Sequence, residues 1–220
     1  MGLEGFKRYQ DLCKINFFPS RIGFGPKVTD AEEKDSRVKG GDINRLNARV
    51  RLAKDFQSMT LDGYSDEAAL GYNGYLQLFL THSALERFME IYGIKHISGL
   101  SDLLESHGSK EAVEGFFGFD EKGKLYDFLC ERIDKRGKRI EDGLTECKLD
   151  KSANVAYISA AVRHIFAHGH LTAHANGINP KNVNKACMLV SDFLLRFMDA
   201  EFTHKIDACY ARIAEKGQDR

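Results

Sequence analysis

From about residue 42 onward, apolar residues recur along the chain at helical spacing. The segment 66–92 carries Leu76, Phe79, Leu80, Leu85, Phe88 and Met89, apolar on more than one side, as expected of a helix buried among others. Gly71 and Gly74 are placed to loosen or divide its first turns. Upstream, Asp42 can cap a helix whose buried stripe is Leu46, Val50, Ala53 and Phe56. Between Gly93 and Asp150 the pattern shortens into SDLLES and SKEAVEGFFGF. A more continuous helix is then expected from Lys124 to about Ile140, on Leu125, Phe128, Leu129 and Ile133. Next, Asp150 or Ser152 can cap a helix with Val155, Ile158, Val162, Ile165 and Phe166 on one side, and Gly169 is suited to end it. Asn179-Pro180 then opens a last helix with a strong apolar period from Val183 to Ile213, Asn as cap and Pro at the first helical position. Only QSMTLDGY faintly suggests a strand. The expected fold is all-α, an antiparallel helical bundle of four or five principal helices over 66–220. Residues 1–65 form an N-terminal extension, with a short helix around Phe6, Tyr9, Leu12 and Cys13. Turn chemistry follows at FFPSRIGFGP, then a charged loop or linker ending at Gly40-Gly41.

Composition narrows the class. With 220 residues, 43% of them hydrophobic, 15 Phe and 8 Tyr, the chain can furnish a core. Its 32 basic and 32 acidic residues balance, which argues against a protein that coats nucleic acid non-specifically but permits a local basic groove. Five scattered cysteines with no C-x-x-C read as reduced thiols of a cytoplasmic protein. The N-terminal MGLEGFKRYQDL lacks a signal pattern, and no apolar run approaches membrane-spanning length, so no membrane association is expected. The arginines around the 42–56 helix and the tract RIDKRGKR (Arg132 to Arg139) are possible phosphate contacts, or simply solvated surface.

The chemistry concentrates in the stretch 152–180. Arg163, His164, His168, His170 and His174 fall within twelve positions there. A guanidinium presents a fork matched to phosphate oxygens, and an imidazole exchanges protons near neutral pH. Together they suffice to cleave RNA without metal. The base takes the proton of a ribose 2′-hydroxyl, that oxygen attacks phosphorus, and the cation stabilises the gathering charge. On an ideal helix Arg163 and His168 sit roughly 140° apart. Either the last turn departs from ideal geometry, or two copies of the helix end meet across a dimer. His164 shares a face with His168 and is the natural second member of the site. His82 and Glu86 also share a face four residues apart, with a satisfied core histidine as the plainer account of the first.

The segment RHIFAH (Arg163 to His168) resembles the R-x4-H signature of HEPN domains. There the Arg is commonly followed by Asn, Asp or His, and the final His by Gly. HSALERF (His82 to Phe88) resembles an Ala-Leu-Glu pattern in the early helix of several HEPN families. The likeness spans roughly 66–215. It implies a homodimer whose two motifs converge, and metal-independent endoribonuclease activity with Arg163 and His168 as catalytic residues. It implies no cofactor, and often a toxin–antitoxin or anti-phage setting with an antitoxin partner. By the same analogy Glu86 orients Arg163, while His170 and His174 join Glu86 as contacts to RNA or nucleotide. Two other readings compete. One is a non-catalytic nucleotide-binding, RNA-binding or protein-interaction module. The other is a metal site on His164, His168, His170 and His174, although no carboxylate or cysteine lies inside the turn itself.

Overall fold

The computed structural model describes residues 2–14, 38–120 and 122–218. Among these there is no strand, and nine α-helices carry the fold. They are α1 (Phe6–Lys14), α2 (Gly40–Asp55), α3 (Asp66–Tyr92), α4 (Ser101–Ser106), α5 (Ser109–Phe119), α6 (Lys124–Arg132), α7 (Lys138–Lys148), α8 (Ala156–Ala167) and α9 (Pro180–Gln218). Short 3-10 turns sit at Ile97–Leu100, Lys135–Gly137 and Ala175–Gly177. The expected all-α class therefore stands, and QSMTLDGY is irregular chain leading into α3. The turn-rich 17–26 segment and most of the charged stretch after it lie outside the described residues. No helix among the described residues is long and apolar enough to cross a membrane.

The chain divides into two units. The first gathers residues 1–55, 84–95 and 195–220. Its core is Leu12, Ile43, Leu46, Val50, Phe88, Ile91, Phe202, Ile206 and Cys209, each essentially without solvent exposure. Tyr9 meets Phe202 edge-on, and Phe88 meets Phe197 likewise. Asp199 accepts from the Glu4 backbone N–H and pairs with Lys54. Asp42 is not the cap of α2, as its sequence position suggested. The helix begins two residues earlier, and the Asp42 carboxylate reaches back to the Lys39 N–H. It thus fills the third-position half of a capping box.

The second unit, residues 56–83 and 96–194, holds α8 at its heart. Ile158, Ala161, Val162 and Ile165 are fully buried, and Phe166 stacks on Phe79 of α3 with ring centroids 4.3 Å apart. Gly71 and Gly74 do not divide α3; they let its backbone approach neighbours. A Cβ on Gly74 would lie 2.6 Å from the Asn184 Cα in α9. Ser65 caps α3 through the Ala68 N–H, and Asn179 caps α9 through the Lys181 N–H at 2.7 Å, as Asn179-Pro180 predicts. Two expectations fail. Neither Asp150 nor Ser152 caps α8; Asn154 does, accepting from the Ala156 N–H while its own N–H bonds to Ser152 Oγ. And the helix expected to run from Lys124 to about Ile140 breaks after Arg132. The Asp134 carboxylate accepts from the Arg136 and Gly137 N–H groups, a local turn that outcompetes the helical ladder.

Candidate functional site at the end of the 156–167 helix

The end of α8 is a Schellman closure. Gly169 takes φ +71°, its N–H bonds to Phe166 O, and the His170 N–H bonds back to Ile165 O. The last helical turn thereby hands over within two residues, which leaves His168 at the cap position and exposed. His164, one turn earlier, is only 7% exposed. The two imidazoles, four positions apart, come together with ring centroids 4.5 Å apart.

The broken helix of the basic tract delivers a third member. Its turn brings Asp134 Oδ1 to 3.3 Å from His164 Nε2, without the alignment of a hydrogen bond. The donor atoms of Asp134, His164 and His168 all lie within 4.8 Å of one another. Sequence reasoning missed Asp134. Its signal was an Asp three residues before a Gly (Asp134 to Gly137), which is turn chemistry inside a run read as helix. The histidine turn itself holds no carboxylate; the one beside His164 arrives from another element.

Electrostatics follow the burial. Desolvation lowers the His164 pKa, and the neighbouring His168 adds to that; Asp134 opposes it, and the Arg163 charge again lowers it. The balance favours a neutral ring. For Asp134 desolvation pushes upward. The Arg136 and Gly137 N–H groups, and then the two imidazoles, outweigh it, so the carboxyl is held below its usual range.

Arg163 is exposed and leaves α8 next to His164. Its charge is felt at His164 and at His82. His82 is the satisfied core histidine expected. It is 4% exposed, its Nδ1 lies 2.8 Å from Ser159 Oγ, and burial followed by the Arg163 charge lowers its pKa to about 3. Ser159 donates its single hydroxyl proton to Ala156 O, so the Oγ accepts from His82 Nδ1–H, which fixes the tautomer.

His170 is exposed, its ring 6.5 Å from that of His168 and nearly parallel to it. His174 is exposed at the start of the 175–177 turn. Neither belongs to the close trio, so the donor set differs from the all-histidine one weighed as an alternative. Glu86 is half-buried in the part of α3 that belongs to the other unit. Around Asp134 the basic tract is exposed: Arg132, Lys135, Arg136, Lys138 and Arg139 all reach solvent. Lys138 is tied to Asp142 at 2.9 Å and to Glu141 at 3.3 Å. When the chain is compared with protein-family models, curated proteins and solved structures, nothing matches.

Proposed function

We propose that this chain is a metal-independent endoribonuclease of HEPN type, a helical bundle whose cleavage site is built at the end of α8. One observation carries the reading. The most basic tract of the chain and the R-x4-H helix end meet at Asp134, so Lys135 and Arg136 follow directly on a residue in contact with His164. Exposed cations beside an exposed imidazole are what a phosphodiester substrate requires.

In this reading the basic rim attracts the RNA backbone, and the Arg163 fork holds the scissile phosphate. His168, exposed at the helix cap, takes the proton of the 2′-hydroxyl. The 2′ oxygen bonds to phosphorus, the bond from phosphorus to the 5′ oxygen breaks, and the departing oxygen takes a proton from solvent. The products are a 2′,3′-cyclic phosphate and a 5′-hydroxyl end. His164 is a positioning residue, neutral and packed against the His168 ring. Ideal helix geometry sets Arg163 and His168 roughly 140° apart, and a homodimer that sets the Arg163 of one copy opposite the His168 of the other meets that geometric need. His170 and His174 remain the candidate contacts to RNA, and an antitoxin-like protein remains the candidate regulator.

The test is incubation of the purified chain with total RNA in EDTA beside His168→Ala and Arg163→Ala. Loss of cleavage in both variants, at unchanged circular dichroism, supports the reading. Equal digestion by wild type and His168→Ala, or by neither, ends it. A non-catalytic RNA-binding module is the second reading, favoured by the same basic rim. RNA retained in a salt-sensitive manner without any cleavage identifies it.

A further inference from the structure

We propose that Asp134, His164 and His168 form a binding site for one divalent transition-metal ion of the zinc class. Three observations carry it. The donor atoms already lie within 4.8 Å of one another. His164 Nε2 is buried, and Asp134 Oδ1 stands beside it without the alignment of a hydrogen bond, so the lone buried ring nitrogen is not satisfied by protein geometry. And Nε2 stands 3.3 Å from Asp134 Oδ1, which matches the edge of a tetrahedron built on bonds of about 2.0 Å, an edge of roughly 3.3 Å.

The surroundings fit an ion as well. Gly137 has φ −86° and ψ 6°, a conformation open to any residue, so its backbone does not demand glycine. The space does. A Cβ there would collide with Ile133 Cγ2, and would also stand 3.1 Å from His164 Cε1 and 3.3 Å from Nε2. Glycine is thus required first by Ile133, and its bare side also borders His164 Nε2. Asp134 is anchored by the Arg136 and Gly137 N–H groups, which fixes the carboxylate as an outer shell of hydrogen bonds fixes a ligand.

Two imidazoles and one carboxylate suit zinc and its neighbours. Magnesium and calcium want oxygen-rich sets. Because His168 and Asp134 are exposed, the fourth position is open to water. His168, exposed at the helix cap, is the donor placed to adjust when the trio closes on an ion. The consequence for cleavage rests on the ribonuclease reading: an ion on His168 occupies the lone pair that would take the 2′-hydroxyl proton, so zinc silences the enzyme. Binding itself does not rest on that reading.

The experiment is calorimetric titration of the metal-stripped full chain with zinc chloride, and separately with magnesium chloride. The expected result is one zinc per chain and no saturable magnesium. Asp134→Asn keeps an acceptor for the two turn N–H groups. That variant and His168→Gln should each weaken zinc by at least about tenfold, the scale of losing even an outer-shell partner. His170→Gln should bind as wild type does. No saturable zinc at one per chain overturns the site, as does wild-type affinity in both Asp134→Asn and His168→Gln. So does a loss in His170→Gln equal to that in His168→Gln. The RNA digest in EDTA, repeated with zinc added back, separates the two ideas. Zinc bound by a chain that never cleaves RNA sustains the metal site and removes the ribonuclease; RNA cleaved by a chain that binds no zinc does the reverse.

Discussion

Acidification should destabilise this protein through one identifiable side chain. His82 is 4% exposed and held neutral, with a folded pKa of about 3 against an ordinary 6.5. The sign follows from proton counting. Between pH 6.5 and 3 the unfolded chain binds a proton at this ring and the folded chain does not. Stability is therefore complete above the unfolded pKa and is lost as pH falls through the window. A single proton gives a slope of about 1.4 kcal/mol per pH unit, so the drop from about pH 7.5 to about pH 5 is about 2 kcal/mol. Other carboxylates and histidines titrate over the same range, so the effect is read as a difference. His82→Asn keeps a donor where Nδ1–H meets Ser159 Oγ but cannot ionise. Urea unfolding of both proteins at several pH values gives the comparison. The advantage of wild type over His82→Asn should shrink by about 2 kcal/mol on going to about pH 5. A difference that stays constant across the range would refute the argument, since the ring would then not be held neutral in the fold.

Two further stability predictions test the approach of α3 to α9 and the start of α9. Gly74→Ala places a Cβ 2.6 Å from the backbone of Asn184, which cannot step aside as a side chain could. The overpacking cost of about 1–3 kcal/mol should exceed the helix-propensity gain of just under about 1 kcal/mol, a net loss visible in urea unfolding. Asn179→Ala removes the oxygen that receives the Lys181 N–H at the start of α9, and should lower stability by about 1 kcal/mol in the same assay.

Much of the fold was legible wherever the signal was local. The 66–92 helix, the Asn179-Pro180 start and the Gly169 stop each rest on residues within a turn of the boundary, and all three appear where expected. The Lys124-to-Ile140 helix failed because apolar spacing said nothing of competition for backbone N–H groups. The Asp134 side chain takes two of them. The site was half legible for the same reason. His164 and His168 are neighbours by helical arithmetic alone. Asp134 lies thirty residues upstream, and only folding brings it to 3.3 Å from His164. In the other unit, the meeting of Tyr9 with Phe202 is equally invisible to periodicity, which reports a buried face and not what covers it.

The chemistry of the RNA ends tests the central claim most directly. Cleavage of a short defined RNA in EDTA, followed by phosphorus NMR and mass spectrometry of the fragments, should show 2′,3′-cyclic phosphates. The same oligonucleotide with a 2′-deoxy sugar at the cut position should remain whole. Fragments ending in 3′-hydroxyl and 5′-phosphate, or equal cutting of the deoxy substrate, would contradict an imidazole acting on the 2′-hydroxyl at the end of this helix.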